Sequence, residues 1–423
     1  MKKILYVVLD GLGDRPDPAL GGKTPLEAAD TPHLDELAQK GETGLMDTIG
    51  PGIAPESDAA VMSILGYDVD EYYTGRGPLE SHGAGMAVPD GSLAWRCNFA
   101  TVDADWKIVD RRVGRNLTDP EARELAIAVQ EQVALDGATF EFRHSIGHRA
   151  CLVIQSMKHQ LSGDVDNCDP AYARHGAFSV ALEDPGTEVQ EARPLRDTIS
   201  ARAGAEITNQ FMRKSYEVLD RHPVNQRRRD EGKMPGNFIL ARDAGDRLPR
   251  LPSFQSRYGI HFGSLVEMPV EIGLAQLTGM GEVRVMSTAE DPEKGFADWA
   301  DKTLGALARY DGLYVHLKGP DLFGHDGDAP GKAACIESID RLYFGPIVKA
   351  LRLPDVVIAV TADHSTPCAI RAHSADPVPL LISSGGLEPE GALQFGESEA
   401  ARGRLGKLRG PELVPRLVEI AKS

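Results

Sequence analysis

Three apolar runs, each followed by an acidic residue, constrain the fold of this chain most strongly. They are residues 4–9, 313–317 and 356–360. Each is about as long as a strand and lacks the alternation of a half-exposed strand, which is typical of a parallel sheet covered on both faces. Amphipathic helical stretches lie between such runs, for example from Thr31 to Gly41. The sequence therefore predicts an α/β fold with a mostly parallel sheet flanked by helices.

The middle of the chain has a different pattern of apolar and polar residues. Short alternating segments occur at 93–103 and 150–155, and Gly and Pro cluster near residues 88–91 and 184–186. This pattern predicts a smaller α+β domain inserted into the main fold. We place the inserted cap at 88–193 and the core domain at 1–87 and 194–423.

The acidic residues that follow the three apolar runs are Asp10, Asp321 and Asp363. In an open parallel sheet, ligands bind at the carboxyl ends of the strands. If the three strands are neighbours, these carboxylates converge on one crevice. A lone Asp after a strand is often only a helix N-cap, so the prediction depends on all three together.

Histidines accompany two of these carboxylates. His325 lies four residues after Asp321, a spacing at which one helical turn can bring both to the same ion. His364 follows Asp363 directly, and His373 comes within ten residues. Carboxylate oxygen and imidazole nitrogen together suit manganese or zinc better than calcium. The set therefore predicts a metal site.

Ser57 is the predicted nucleophile. It lies where a Gly/Pro loop, residues 51–56, gives way to a helix that ends near Gly66, and Ser57 or Asp58 is the predicted N-cap. A helix N-terminus favours phosphate, and a metal or a base can activate a serine hydroxyl. A serine that only caps the helix is the alternative.

Basic residues supply the third element of the predicted site, because arginine binds phosphate and carboxylate bidentately. Those in or near the cap are Arg96, Arg111, Arg112, Arg115, His148, Arg149 and Arg242. A denser run, 225–229, is followed by two acidic residues, and we predict that Arg228 and Arg229 lie on a solvated helix face.

Charge and composition exclude several classes of function. The net charge of −17 disfavours nucleic acid or an anionic membrane as a partner. The apolar run at the amino terminus is too short to span a membrane. The five cysteines form no Cys-x-x-Cys pair, which disfavours a thiolate zinc site or a disulfide framework. A cytoplasmic protein acting on a small molecule is the expectation, and the oligomeric state stays open.

The motifs resemble those of the archaeal-type 2,3-bisphosphoglycerate-independent phosphoglycerate mutases, in the alkaline phosphatase superfamily. The resemblance runs nearly end to end, and one matching segment is Thr-Ala-Asp-His-Ser-Thr-Pro at 361–367. The others are 9–16, 22–27, 57–58, 63–68, 73–78, 96–103, 109–112, 235–238, 318–321 and 324–328. It implies an alkaline-phosphatase-like core and conversion of 3-phosphoglycerate to 2-phosphoglycerate through a phosphoserine, under a cap that excludes water.

The resemblance also implies roles for individual residues. One metal is held by Asp321, His325 and His373, and a second by Asp10, Asp363 and His364 with Ser57 as ligand and nucleophile. Arg115, Arg149, Arg242 and Lys318 are the implied substrate contacts. The expected cofactors are two divalent ions, Mn²⁺ or Zn²⁺, with Co²⁺ or Mg²⁺ as further options, and no 2,3-bisphosphoglycerate.

Two departures from the family pattern bear on the substrate. The chain has Glu56 and Val61 where members commonly have glycine and histidine, and Ala171 where many have histidine. The alternatives are a homoserine phosphotransferase of the same family, a metal-dependent phosphomonoesterase, and a non-catalytic protein that only binds metal.

Overall fold

The structure is a computed structural model that describes residues 1–175, 178–182, 185–288 and 291–423. The chain divides into two compact units. Unit 1 comprises Met1–Tyr72, Leu251–Glu267 and Leu274–Ser423, and unit 2 comprises Tyr73–Arg250 and Met268–Gly273. The inserted segment predicted at 88–193 lies wholly within unit 2, which also takes in flanking residues on both sides.

The strands are numbered here in chain order. They are β1 Lys3–Leu9, β2 Glu42–Asp47, β3 Leu93–Val102, β4 Ile108–Asp110, β5 Ala138–His144, β6 Arg149–Ser156, β7 Tyr172–His175, β8 Phe178–Ala181, β9 Phe238–Gly245, β10 Phe262–Leu265, β11 Gly281–Glu282, β12 Gly312–Leu317, β13 Val356–Thr361, β14 Val378–Ser384 and β15 Gly406–Arg409.

The α-helices are α1 Pro25–Ala28, α2 Pro32–Gln39, α3 Ser57–Ile64, α4 Val69–Tyr72, α5 Arg76–Gly83, α6 Asp119–Gln132, α7 Ile199–Asp220, α8 Pro223–Asp230, α9 Phe254–Tyr258, α10 Pro269–Leu277, α11 Pro292–Leu307, α12 Pro320–Asp326, α13 Ala329–Ile339, α14 Gly345–Ala350, α15 Glu397–Ala400 and α16 Gly410–Lys422. A π-helical turn, Asp340–Phe344, joins α13 to α14. No helix within the described ranges is long and apolar enough to cross a membrane.

Unit 1 is built on an eight-stranded sheet in the order β11-β10-β12-β1-β13-β14-β2-β15. Only β14 runs against the others, pairing antiparallel with both β13 and β2. The expectation of a mostly parallel sheet in an α/β fold is therefore confirmed.

The three apolar runs found in the sequence form the neighbouring strands β12, β1 and β13. Their register aligns the carboxyl ends, since Leu9 pairs with Leu317 and Val8 with Thr361. Every residue of β12 and β13 is buried, and so is β1 from Ile4 onward. Burial on both faces explains why these strands lack a two-residue alternation.

Two helices of unit 1 begin close to where the sequence indicated. Helix α2 starts at Pro32 after Thr31, as predicted. Helix α3 starts at Ser57, but its N-cap is Glu56, so the prediction of Ser57 or Asp58 as N-cap is wrong by one residue. Glu56 has extended backbone angles and its carbonyl accepts the Ala60 N–H at 3.0 Å. Ser57 thus lies in the first turn of α3.

Unit 2 contains a sheet in which β3 pairs antiparallel with β6 on one side and with β9 on the other. Alternate β3 side chains, among them Trp95 and Phe99, enter a hydrophobic cluster with α6 and α7 residues. The opposite face of β3 packs on α5. All ten residues of β3 are consequently buried, including polar ones such as Arg96 and Asn98.

Arg228 also differs from its predicted environment. It lies in α8 with only 1% of its surface exposed, and it donates to Glu121 Oε2 at 2.9 Å and to the Met234 carbonyl at 2.8 Å. A third contact joins it to the Asn116 side chain. The prediction of a solvated position is therefore wrong for Arg228, whose buried charge is paired.

Candidate active site

The loops that follow β1, β12 and β13 are joined by hydrogen bonds at the carboxyl edge of the sheet. Asp10 N–H donates to the Leu317 carbonyl at 2.9 Å, and Asp321 N–H donates to the Asp10 carbonyl at 3.0 Å. Gly11 N–H donates to Asp363 Oδ1 at 3.1 Å. The three acidic residues predicted to converge therefore do meet at one point of unit 1.

Gly11 makes this convergence possible. Its φ is +63°, and a Cβ at this position would lie 2.7 Å from the Asp321 Cβ and 2.8 Å from its Oδ1. A side chain there would be strained by the backbone angle and would collide with Asp321. The turn after β1 therefore requires glycine.

Asp10, Asp363 and His364, here called the Asp10 group, are all buried and offer ligand atoms that lie within 4.8 Å of one another. His364 Nε2 lies 3.4 Å from Asp10 Oδ1 and 3.2 Å from Asp363 Oδ2. Both of these carboxylate oxygens are buried and accept no hydrogen bond within the described part of the chain. Buried acceptors without donors are costly, and a bound cation would satisfy them.

Asp321, His325 and His373, here called the Asp321 group, form a second cluster of the same kind. Asp321 and His325 lie one turn apart on α12, as the spacing predicted, with His325 Nε2 3.6 Å from Asp321 Oδ2. His373 Nε2 lies 3.6 Å from Asp321 Oδ1. The rings of His364 and His373 stack at a centroid distance of 3.7 Å, so the two groups adjoin.

Backbone carbonyls fix the orientation of both histidines in the Asp321 group. His325 Nδ1 lies 3.0 Å from the Arg371 carbonyl, and His373 Nδ1 lies 2.8 Å from the Pro55 carbonyl. Because a carbonyl only accepts, each Nδ1 must donate, and each Nε2 faces Asp321. Metal-binding histidines commonly show this arrangement. The donor sets of both groups therefore fit divalent cations.

The charges in the two groups agree with that fit. Burial raises the pKa of Asp10 to about 6, against the opposing influence of Lys318. Burial alone would lower the pKa of His373, but its contact with Asp321 and the charge of Glu56 raise it to about 10. The first shift reports the loss of hydration at a buried carboxylate, and the second reports a site that favours positive charge.

Ser57 lies beside the Asp10 group. Its Oγ is 3.4 Å from His364 Nε2, the same nitrogen that faces Asp10 and Asp363. The first turn of α3 presents backbone N–H groups that have no partner within the helix, a property of any helix start. A hydroxyl, an anion-favouring helix end and two carboxylate–histidine groups thus occur together.

Two further residues line the Asp10 group. Lys318 Nζ forms an ion pair with Asp10 Oδ2 at 2.9 Å. His316, a histidine inside the apolar run of β12, is fully buried and lies 2.8 Å from the Tyr314 hydroxyl and 3.8 Å from Asp363 Oδ2. The sequence analysis did not select His316. The feature that could have identified it is a single titratable side chain within an otherwise apolar strand.

Unit 2 holds a cluster of arginines on the face of β3 that packs against α5. Arg76 and Arg96 approach Glu80 Oε1 at 2.7 and 3.3 Å. Arg242 lies across the strand pair from Arg96 and stacks on the Tyr172 ring at 3.5 Å. Arg76 was not among the sequence candidates. Its signal was an Arg–Glu pair four residues apart on a short helix.

The arginine cluster has more donors than acceptors. Nε and Nη1 of both Arg96 and Arg242 are buried and donate no hydrogen bond within the described ranges. Burial and the neighbouring Arg96 lower the pKa of Arg149 to about 10, and burial beside Arg149 lowers the pKa of His148 to about 3. Unsatisfied buried guanidinium groups favour an anionic ligand.

The remaining arginine candidates differ in environment. Arg115 lies in the turn Val113–Arg115, whose three residues all have φ between 52° and 61°. Arg111 donates to Asp169 with both Nε and Nη2, which is the bidentate geometry of a structural pair.

Several known proteins are similar to this chain in sequence and in fold. A family model described as 2,3-bisphosphoglycerate-independent phosphoglycerate mutase matches residues 38–225. A relative of that name from Aeropyrum pernix is 44% identical over 426 residues, covering 99% of each chain. A structure from Pyrococcus horikoshii is 33% identical with a TM-score of 0.81, covering 100% of this chain and 97% of that chain. A cofactor-independent phosphoglycerate mutase from Thermoplasma acidophilum is 32% identical with a TM-score of 0.65, covering 100% of both chains.

The similarity extends over nearly the whole length of this chain and of its relatives, so it includes the residues of both units. The resemblance read from the motifs is thereby confirmed. This chain belongs to the family of 2,3-bisphosphoglycerate-independent phosphoglycerate mutases.

Proposed function

We propose that this chain is an isomerase that interconverts 3-phosphoglycerate and 2-phosphoglycerate without 2,3-bisphosphoglycerate, through a phosphoserine at Ser57. The observation that carries the proposal is the position of Ser57 Oγ, 3.4 Å from His364 Nε2 beside the Asp10 group. The names of the relatives supply the substrate pair. Ser57 is the hydroxyl in the described structure that lies against both a helix start and a cation-binding donor set.

Two divalent ions are part of the proposal. Asp10, Asp363, His364 and Ser57 would hold one ion, and the Asp321 group would hold the other. When bound, the ions would lower the pKa of the serine hydroxyl and stabilise the charge on the transferring phosphoryl group. Mn²⁺ or Zn²⁺ suits mixed carboxylate and imidazole donors best, with Co²⁺ or Mg²⁺ as further options.

Ser57 Oγ loses its proton and attacks the phosphorus atom as the bond to the 3-oxygen of glycerate breaks, and that oxygen takes up a proton. Glycerate stays bound while its 2-hydroxyl loses a proton and attacks the phosphoserine; the bond from phosphorus to Oγ breaks, and Oγ takes up a proton to regenerate Ser57. Water must be excluded between the two steps, because its attack on the phosphoserine would release free phosphate.

The proposed substrate contacts are Arg115, Arg149, Arg242 and Lys318. The case for the arginines comes from unit 2, where Arg242 Nε and Nη1 are buried and donate no hydrogen bond within the described residues, and where burial lowers the pKa of Arg149. Arg96 shares the first property and joins the proposed set. A carboxylate or phosphate would supply the missing acceptors.

A coupled assay tests the proposal. Purified protein with added Mn²⁺ receives 3-phosphoglycerate but no 2,3-bisphosphoglycerate, and 2-phosphoglycerate is detected through enolase while free phosphate is monitored. We expect isomerisation without phosphate release. Phosphate release alone would instead indicate a phosphomonoesterase, and neither product would direct the search to homoserine and other acceptors.

Replacing the nucleophile gives the matched comparison. Ser57→Ala is expected to lower turnover by about 10⁴-fold or more, because the phosphoserine can no longer form. Ser63→Ala, on the same helix, removes a hydroxyl that donates to the Thr48 carbonyl and should keep turnover near the wild-type rate. Full activity of the Ser57 variant would end the proposal.

A further inference from the structure

Thr366 joins the Asp10 group to the Asp321 group. Its Oγ1 lies 2.7 Å from Asp321 Oδ1 and 3.0 Å from His364 Nδ1, and the residue is fully buried. We propose that Thr366 is a positioning residue that fixes the ligand geometry of both groups through one hydroxyl. The inference deepens the proposed function and rests on it for its catalytic meaning, although it is argued from contacts within unit 1.

The chemistry of the partners fixes the direction of both hydrogen bonds. An ionised carboxylate only accepts, so Thr366 must give its single hydroxyl proton to Asp321 Oδ1. The hydroxyl can then only accept from His364, and the proton of the neutral His364 ring must be on Nδ1. The Nε2 lone pair consequently faces Ser57, Asp10 and Asp363, which is the orientation that a cation requires.

The backbone of Thr366 is held from two directions. Its N–H donates to the Gly13 carbonyl at 3.0 Å, and its carbonyl accepts from Lys332 Nζ at 3.0 Å. Lys332 is fully buried and also donates to Asp14 Oδ2 at 2.8 Å and to the Gly13 carbonyl at 3.2 Å. Lys332 thereby ties the loop after β1 to the loop after β13.

Helix α12 packs directly on the same residue. A Cβ at Gly324 would lie 2.3 Å from the Thr366 carbonyl oxygen and 2.9 Å from its Cγ2. This close approach brings Asp321, on the same helix, within reach of the threonine hydroxyl. Thr366 therefore lies at the meeting point of three chain segments that carry ligands of the two groups.

Removal of the hydroxyl should affect both groups although Thr366 itself is not placed as a ligand. In Thr366→Val, Asp321 Oδ1 loses the hydrogen bond from the threonine and keeps its longer contact with His373 Nε2, 3.6 Å away. His364 loses its acceptor, so the proton can move to Nε2, where it competes with a cation. A residue that served only packing would leave the ring tautomer unchanged, because valine has nearly the same shape.

The test titrates Mn²⁺ into chelator-treated protein by calorimetry. We expect Thr366→Val to weaken binding at both sites by about 10- to 100-fold, and Thr366→Ser, which keeps the hydroxyl, to recover most of that loss. Ser365→Ala is the matched control, since Ser365 is equally buried and its Oγ makes no hydrogen bond within the described residues. Wild-type binding at either site in Thr366→Val would overturn the proposal.

A second measurement needs neither metal nor substrate. Nitrogen NMR of His364 in metal-free protein at alkaline pH should show the proton on Nδ1 in the wild type and a mixture of tautomers in Thr366→Val. A proton on Nε2 in the wild type would contradict the inference. If the valine variant does not fold, as judged by circular dichroism, Thr366→Ala removes the same hydroxyl for both measurements.

These outcomes are separable from those of the proposed function. A protein that binds two ions with the predicted dependence on Thr366 but does not isomerise phosphoglycerate would contradict the function and leave the positioning role intact. A protein that isomerises phosphoglycerate with unaltered ion affinities in Thr366→Val would do the reverse.

Discussion

The Asp10 and Asp321 groups of unit 1 and the arginine cluster of unit 2 bury charges of opposite sign. In unit 1 the buried oxygens Asp10 Oδ1 and Asp363 Oδ2 accept no hydrogen bond within the described residues, whereas in unit 2 the buried Nε and Nη1 of Arg96 and Arg242 donate none there. Unit 1 therefore fits cations, and unit 2 fits an anion. A divalent ion would satisfy the first set of atoms, and a carboxylate or phosphate would satisfy the second.

The two regions also differ in how their charges are held in place. Asp10 and Asp363 lie on loops and Asp321 lies in the first turn of α12, and hydrogen bonds join these segments at one edge of the mostly parallel sheet. The arginines lie on β3, β9 and α5, and a buried glutamate, Glu80, pairs with two of them, Arg76 and Arg96. Burial alone would raise the pKa of Glu80, but the charges of Arg76, Arg96 and Arg149 lower it. Glu80 thus stays ionised among the arginines.

Removal of divalent ions should give the largest effect. Treatment with a chelator is expected to abolish turnover, and Mn²⁺ should restore it, because the Asp10 group contains acceptors that a cation would satisfy. The melting temperature should also rise with added Mn²⁺, since an ion that binds only the folded state stabilises it. Differential scanning fluorimetry with and without Mn²⁺ measures this.

The control for that prediction is Asp10→Asn, which keeps the side-chain volume but removes one anionic ligand. Its melting temperature should respond to Mn²⁺ much less than that of the wild type. Full turnover of the wild-type protein after chelator treatment would contradict the proposal that the groups of unit 1 bind divalent ions needed for the reaction.

The Asp10 and Asp321 groups could be predicted from the sequence because each acidic residue comes within four residues of the end of a buried strand. Parallel strands bring their carboxyl ends to one edge, so the sequence order of Asp10, Asp321 and Asp363 already implied their convergence. His325 followed from helical spacing. Thr366 could not be predicted, since its role depends on the distance between two loops rather than on any spacing along the chain.

The arginine cluster was predicted less completely. Its members come from strands that pair antiparallel over long sequence separations, such as Arg96 opposite Arg242. No pattern along the chain predicts that strand pairing. The same reason explains the error at Arg228, where Glu121 and Asn116 from a distant segment supply the partners of the buried charge. Tertiary pairing, rather than local composition, decided whether each arginine was solvated.

Arg111 and Arg242 provide a sharper test, because Arg111 forms a bidentate pair with Asp169 whereas the buried Nε and Nη1 of Arg242 donate no hydrogen bond within the described residues. Arg242→Met should lower kcat/KM by about 10- to 100-fold, because it removes proposed hydrogen bonds to a charged ligand. Arg111→Met should mainly destabilise the fold, by about 3 kcal/mol, because it leaves the buried Asp169 carboxylate without its bidentate partner.

Urea unfolding and steady-state kinetics on both variants separate the two effects. The comparison predicts that the larger stability loss belongs to Arg111→Met and the larger kinetic loss to Arg242→Met. The opposite ranking would mean that Arg242, through its ion pair with Asp243 at 3.5 Å and its stacking on Tyr172, has a structural role instead.

The pH dependence of substrate affinity should show the smallest effect. Burial beside Arg149 lowers the pKa of His148 to about 3, so this imidazole is neutral from pH 5 to 8 and adds no charge to the cluster. The KM of His148→Gln should therefore stay within about twofold of the wild-type KM. The ratio of the two KM values should not change across that pH range. Arg149 behaves differently, because a guanidinium keeps its charge across that range even though burial lowers its pKa. A ratio for His148→Gln that changes near pH 6.5 would show that His148 titrates as an ordinary exposed histidine, and the arginines of unit 2 would then be less crowded than their contacts indicate.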